Sequence, residues 1–225
     1  MVDDPYMQLR HMMAQVIAAH AQATAEMTGL PAIDPKVLEI MERVPRHEYV
    51  PVEIRAYAHS DGPLPIGFDK TISQPFIAAL MTALLDLRPD DVVLEIGTGL
   101  GYHTALMSEL AKKIYSVEII EELSEEAAVR LKRAGRTNIE LRTGNGYYGW
   151  PEHGPYDKIL VAAAPELIPP PLIGQLKPGG RMVLPAGLDT AQQLMVVDKD
   201  ASGKISTREV LAVRFAPLEG VDGLR

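Results

Sequence analysis

The chain has 225 residues, of which 47 % are hydrophobic and 23 % charged, with a formal net charge of −8 and no cysteine. A chain of this length can bury a substantial core in one domain, and the composition is that of a soluble globular protein rather than a disordered one. The acidic balance argues against a general nucleic-acid or anionic-membrane binder, and the lack of cysteine excludes disulfides, thiolate catalysis and Cys-ligated zinc.

The start, Met1-Val2-Asp3-Asp4-Pro5, is acidic where a secretory leader would be basic. The apolar stretch from Met12 to Ala25 is interrupted by Gln15, His20, Gln22 and Thr24, well short of the roughly 20 apolar residues of a membrane span. A cytoplasmic protein is expected. Helical spacing predicts a first helix over 6–28, stopped by Gly29-Leu30-Pro31, and a second from an Asp34 N-cap with Pro35 in first position to Val44. Residues 45–71, rich in proline and glycine, read as largely loop. Ser73-Gln74-Pro75 opens a helix that runs to about Leu85.

From Asp91 the pattern alternates. A short, nearly continuous apolar run predicts a strand over 92–96, and further strands are read over 114–118, 138–142, 158–164 and 181–185, separated by helices over 101–112 and 121–134 and a helical stretch near 171–176. That order implies an α/β, Rossmann-like doubly wound sheet, mostly parallel, with helices on both faces. Residues 193–197 and 209–215 read as a C-terminal antiparallel hairpin closing the sheet edge. Residues 1–225 are expected to form a single domain. Within it, 1–33 is an N-terminal helical extension, 34–90 a helical and loop region on the substrate side, and 91–225 the cofactor-binding core and hairpin.

Gly97-Thr98-Gly99-Leu100-Gly101 falls where the strand over 92–96 turns into a helix, and Glu118 follows twenty-one residues after Gly97 at the end of the next strand. Glycines there permit a tight turn and close approach of a ligand, and a carboxylate at Glu118 can accept from both ribose hydroxyls. A dinucleotide site wants a small residue where Tyr102 stands. The shorter Gly-x-Gly-x-Gly, preceded by the acidic Glu95, suits an adenosyl ligand with a methionine tail. The competing reading is a glycine turn that binds nothing.

Several blocks resemble the protein-L-isoaspartate O-methyltransferases: Val44-Pro45-Arg46-His47-Glu48-Tyr49-Val50-Pro51, Pro63-Leu64-Pro65-Ile66-Gly67, Thr71-Ile72-Ser73-Gln74-Pro75, Val93 through Tyr102, Gly144-Asn145-Gly146 through Pro151, and Val213 through Leu218. The resemblance covers about residues 34 to 220 in unbroken order. It implies a class I S-adenosylmethionine-dependent methyltransferase that methylates the carboxylate of isoaspartyl residues in damaged proteins or peptides, with S-adenosylhomocysteine as product. It implies Ser73 as the residue that orients the substrate carboxylate, with Thr71 and Ile72 on the substrate side. Glu95, Gly97, Thr98, Gly99, Gly101, Glu118, Asn145 and Gly146 would hold the cofactor, with no metal. Ser73 reads equally as a helix N-cap.

Two departures from the family pattern matter. Asp69-Lys70 stand where Gly-Gln is usual, and Asn145 stands where an aspartate accepts from the adenine amino group. Asparagine keeps a carbonyl acceptor, so a weakened contact is expected. Related alternatives are a carboxylate methyltransferase with a dedicated peptide substrate and a cofactor-binding module without turnover. A nicotinamide oxidoreductase is disfavoured by Tyr102.

Other features compete for attention. Asp198 to Glu209 matches a calcium-binding loop at most ligand positions, but its flanks read as strands and Asp, Ser and Gly also make turns. His103 is expected to pack, His11 and His20 have the wrong spacing for a shared metal, and Trp150 packs or shapes the substrate rim. Met7, Met12, Met13 and Met27 suit core or dimer contacts. The N-terminal helix is a candidate for homo-oligomer formation.

Overall fold

The computed structural model describes residues 4–220; the acidic start at Met1–Asp3 and residues 221–225 lie outside them. An N-terminal layer comprises α1 (Met7–Ala23), α2 (Ala25–Thr28), α3 (Pro35–Arg43), a hairpin of β1 (Leu64–Gly67) and β2 (Lys70–Ile72), and α4 (Pro75–Leu85). The core follows as β3 (Val92–Ile96), α5 (Tyr102–Ser108), β4 (Lys113–Glu118), α6 (Glu121–Arg133), β5 (Ile139–Thr143), β6 (Tyr156–Val161), α7 (Pro170–Gln175) and β7 (Leu176–Leu188). The last two strands are β8 (Ala191–Lys199) and β9 (Ile205–Val213).

The seven core strands form one sheet in the order β5-β4-β3-β6-β7-β8-β9, parallel as far as β7 and antiparallel beyond it. The continuous apolar run of β3 is explained by burial on both faces: Val93 joins an apolar cluster with α4, α5 and α6, whereas Leu94 and Ile96 join another with α7. The first cluster also takes Met13 and Ile17 of α1, Val37 and Ile40 of α3 and Val210 of β9, so the N-terminal helices pack on the same core.

The structure corrects several sequence expectations. The helix over 6–28 breaks at Thr24, whose hydroxyl donates back to His20 O (2.9 Å) and leaves the α region at φ −107°. Residues 45–71 are more regular than expected: they contain two 3₁₀ turns, Arg46–Tyr49 and Val52–Tyr57, and the β1–β2 hairpin, with turns and bends between them. Its two-residue turn places Phe68 at φ +54° and Asp69 at φ +55°, the left-handed pair that such a connection requires. An aspartate tolerates that region better than most residues, so the Asp69 departure is accommodated by the backbone. The helix after the glycine loop stops at Ser108, not Lys112. The strand over 158–164 runs instead as Tyr156–Val161. β7 begins at Leu176 rather than Arg181, because Lys177-Pro178-Gly179-Gly180 reads as a turn but forms a bulge between the Tyr156↔Leu176 and Lys158↔Arg181 pairs.

Candidate active site

In an open parallel sheet the crevice for a ligand lies beyond the carboxyl ends of the strands, where successive crossovers diverge to opposite sides. Here β4 lies on one side of β3 and β6 on the other, so that crevice opens at the end of β3. A cavity of about 660 Å³ occupies it and extends toward β9. That volume is typical of a small-molecule site.

The half toward β4 and β5 is walled by Gly97, Gly99, Glu118 and Gly146. Gly97 turns at φ +91°, and a Cβ on Gly146 would stand 2.3 Å from Cγ2 of Ile96. Glu118 is held by two backbone amides: Oε2 accepts from Gly99 N (2.8 Å) and Oε1 from Ile120 N (3.1 Å). Each oxygen keeps a further lone pair, and the side chain lines the cavity.

Glu95, Thr98 and Gly101 are not in the cavity wall; they lie one layer beneath it. Side chains alternate along a strand, and Glu95 points with Val93 toward α5 instead of out of the sheet end. Its Oε2 accepts from Thr104 Oγ1 (2.5 Å) and Ser116 Oγ (2.6 Å), and Ser116 Oγ in turn meets Thr98 Oγ1 at 2.6 Å. Complete burial pushes the Glu95 carboxyl up to about 7, against the two hydroxyl donors, and its Oε1 has no partner among the described residues. Gly101, at φ +91°, is the N-cap of α5. Asn145 also stays out of the wall. Its Oδ1 accepts from Tyr147 N (3.0 Å), and its Nδ2 donates to Gly220 O (2.6 Å).

The other half of the cavity contains Ser73, Thr71, Lys70 and Gln74, with Ile66 of β1, His20 and Thr24 of the N-terminal helices, and the segment 211–219. Ile72 is instead buried in the core. Ser73 does not act as the helix cap. The N-cap position of α4 is Gln74, and Phe76 N is satisfied by Asp61 Oδ1 (2.9 Å). The Ser73 carbonyl accepts from Nη2 of the fully buried Arg46 (2.7 Å), whose Nε donates to Ala58 O (2.8 Å). Burial lowers the Arg46 guanidinium to about 10, and it lies 4.9 Å from the centroid of the Tyr102 ring. Tyr102 thus links the glycine-loop helix to the Ser73 segment.

The C-terminal segment crosses the cavity as a strap. Ala164 N donates to Ala216 O (2.8 Å) and Leu218 N to Ala164 O (2.9 Å). Lys70 pairs with Glu219, and Asn145 holds Gly220. Both departures from the family pattern therefore grip this strap. An aspartate at 145 has no proton to give the Gly220 carbonyl.

The remaining candidates fall elsewhere. His103 is buried against Thr82 Oγ1 (2.9 Å), and burial lowers it to about 4. Trp150 packs edge-on against Tyr115 and His153 rather than at the cavity rim. The calcium-like segment is the β8–β9 turn, in which Asp200 Oδ1 accepts from Ser202 N (2.8 Å), Ser202 Oγ (2.6 Å) and Lys204 N (3.0 Å). Among the described residues no group of three or more His, Asp or Glu side chains is placed to hold a metal, and no helix is long and apolar enough to cross a membrane. Sequence reasoning missed Asp61, His20 and the positioning role of Arg46; the arginine of the 44–51 block was the one available signal.

Known proteins are similar to this chain in sequence and in fold. The family described as "Protein-L-isoaspartate(D-aspartate) O-methyltransferase (PCMT)" matches residues 26–223. Protein-L-isoaspartate O-methyltransferase 1 of Polaromonas sp. (strain JS666 / ATCC BAA-500) is 56 % identical over 222 residues, covering 99 % of this chain and 94 % of its own. Protein-L-isoaspartate O-methyltransferase 2 of Syntrophobacter fumaroxidans is 54 % identical over 219 residues, 97 % of this chain and 89 % of its own. A solved protein-L-isoaspartate O-methyltransferase superposes with a TM-score of 0.80 at 28 % identity, over 94 % of this chain and 66 % of that one. A Plasmodium falciparum structure in complex with S-adenosyl-L-homocysteine shares the fold with a TM-score of 0.77 at 22 % identity, over 96 % of this chain and 99 % of that one. On the strength of the family match and these near full-length relatives, the chain belongs to the protein-L-isoaspartate O-methyltransferase family.

Proposed function

We propose that this protein transfers the methyl group of S-adenosylmethionine to the free carboxylate of L-isoaspartyl residues in damaged proteins or peptides. The observation that carries the reading is a single cavity that joins the Gly97–Gly99–Glu118 corner to Ser73. The residues fit the adenosyl group: Glu118 presents lone pairs for ribose hydroxyls, and Gly97, Gly99 and Gly146 line the cavity with backbone alone. When bound, S-adenosylmethionine supplies an activated methyl electrophile.

The chain's own part is alignment. A peptide carboxylate is ionised at neutral pH and needs no general base. Ser73 Oγ donates to one carboxylate oxygen and turns the other toward the methyl group, while Arg46 and Asp61 fix the backbone that carries Ser73. The strap closes the cavity over the reactants and excludes water. Methyl transfer from labelled S-adenosylmethionine to matched peptides tests the reading. Labelling confined to the isoaspartyl peptide supports it, and equal labelling of the aspartyl peptide overturns it.

The protein acts as one cytoplasmic domain, in which the N-terminal helices share the core cluster of the sheet. Self-association through α1 is part of the same reading. Leu9, Met12 and Val16, at 39 %, 58 % and 48 % exposure, continue through the exposed Ala19 and Ala23 in steps of three and four residues, the spacing of a helix-packing seam. Truncation of α1 would also remove His20 from the cavity. Light scattering of a Met12→Glu, Val16→Glu double variant is therefore the sharper test: a mass equal to that of the wild type refutes the seam.

A further inference from the structure

The cavity wall contains an imidazole that the chemistry above leaves unused. His20, three residues before the end of α1, lines the same cavity as Ser73 and Gln74. Its Nδ1 lies 3.0 Å from Asp61 Oδ2, and its ring stacks on Phe76 with centroids 3.9 Å apart and planes 14° from parallel. Two contacts therefore fix the ring's position and its rotation. Asp61 is itself immobilised, because Oδ1 accepts from Phe76 N (2.9 Å) and Oδ2 also accepts from Gln74 Nε2 (3.0 Å).

With Nδ1–H committed to the carboxylate, Nε2 is the ring's free pole. Among the described residues it has no hydrogen-bond partner, and the side chain is 37 % exposed. A surface histidine without function has no need of this support. The carboxylate partner, the stacking ring and the position in the cavity wall together pre-orient one hydrogen-bonding nitrogen in the cavity that Ser73 also lines. The contacts of His20 tie it to the Ser73 segment: its partner Asp61 also binds Gln74 and Phe76, whereas Glu118 and Gly146 follow β4 and β5.

We propose that His20 is a substrate-binding residue: its Nε2 hydrogen-bonds the isoaspartyl peptide, and the N-terminal helix thereby forms part of the peptide site. The inference rests on the methyltransferase reading above. Isoaspartyl peptides carry both carboxylate and carbonyl acceptors and amide donors, and an imidazole can serve either kind by its protonation state.

Two isosteres separate substrate contact from scaffold. Glutamine places a polar atom near the position of Nε2, whereas asparagine reaches only the position of Nδ1 and keeps the bond to Asp61. The experiment measures the equilibrium affinity of the S-adenosylhomocysteine-loaded protein for an isoaspartyl peptide, together with KM and kcat, for the wild type, His20→Ala, His20→Gln and His20→Asn. Loss of one hydrogen bond to the peptide raises Kd and KM about tenfold in His20→Ala and His20→Asn, with partial recovery in His20→Gln. The affinity for S-adenosylhomocysteine stays at the wild-type value in all three. Recovery by asparagine but not glutamine would overturn the proposal in favour of a scaffold role through Asp61. Unchanged peptide affinity in His20→Ala would overturn it outright. A wild-type protein that binds no isoaspartyl peptide would overturn the methyltransferase reading and this proposal with it.

Discussion

Glu95 carries a direct electrostatic consequence of this architecture. Its carboxyl is completely buried, keeps one oxygen without a partner among the described residues and is raised from 4.5 to about 7, chiefly by burial, with Ser116 and Thr104 opposing the shift and Glu118 adding to it. An acid whose folded pKa lies above its unfolded value contributes stability that is fully present below the unfolded pKa. That stability is lost as pH rises through the folded pKa, because the folded state then holds the proton that the unfolded state has released. At 1.36 kcal/mol per unit, the shift amounts to about 3 kcal/mol, lost between about pH 4.5 and 7 and constant above. Glu95→Gln keeps an acceptor for the two hydroxyls and cannot ionise. Urea unfolding of both proteins without methyl donor, from pH 4.5 to 8, cancels every other titration in the difference. The wild type loses about 3 kcal/mol relative to Glu95→Gln across that window, at about 1.4 kcal/mol per pH unit until the plateau. A difference that stays flat with pH would refute the reasoning, because it would mean that Glu95 is charged in the folded protein at little cost.

Other outcomes follow from the same geometry. Ser73→Ala removes a hydrogen bond to a charged substrate group, so kcat/KM for an isoaspartyl peptide falls about 10- to 100-fold; S-adenosylhomocysteine affinity by calorimetry is retained. Gly146→Ala forces a methyl against Ile96, and chemical denaturation shows a loss of about 1–3 kcal/mol together with weaker S-adenosylhomocysteine binding. Asn145→Asp sets a carboxylate against the Gly220 carbonyl and loosens the strap, so stopped-flow release of S-adenosylhomocysteine speeds up about tenfold; slower release would show that an acceptor for adenine matters more than the strap. His103 is lowered from 6.5 to about 4, first by burial and then by Arg46. The folded state therefore binds fewer protons there than the unfolded one. Stability is lost as pH falls from 6.5 toward 4, by about 3 kcal/mol, and His103→Gln removes that part of the acid sensitivity in thermal unfolding.

The parallel core was legible because its signals are local. β3 is a nearly continuous apolar run of strand length, and the glycines between β3 and α5 mark a turn that only a backbone without Cβ atoms can make. What the sequence hides are features set by partners distant in the chain. The β7 bulge and the β1–β2 hairpin use the same prolines and glycines as loops, and only pairing with Tyr156 or between Leu64 and Ile72 distinguishes them. Glu95 sits next to the glycine loop in sequence, but strand alternation sends it under the loop. Gly97, Gly99, Glu118, Gly146, Thr71 and Ser73 meet in one cavity, as their motifs suggest. His20, which also lines that cavity, and Arg46 and Asp61, which support the Ser73 segment, could not be placed from sequence, since each depends on a tertiary contact spanning 12 or more residues. Asn145 looks like a simple loss of charge at an adenine contact; its second role depends on Gly220, 75 residues away.

A crystal structure with both S-adenosylhomocysteine and an isoaspartyl peptide bound tests the central claim most directly. The account predicts the ribose on Glu118, the peptide's free carboxylate within hydrogen-bonding distance of Ser73 Oγ, and a clear line from that carboxylate to the sulfur. A peptide carboxylate bound away from Ser73, or an adenosyl group that leaves Glu118 without a ribose contact, would contradict it.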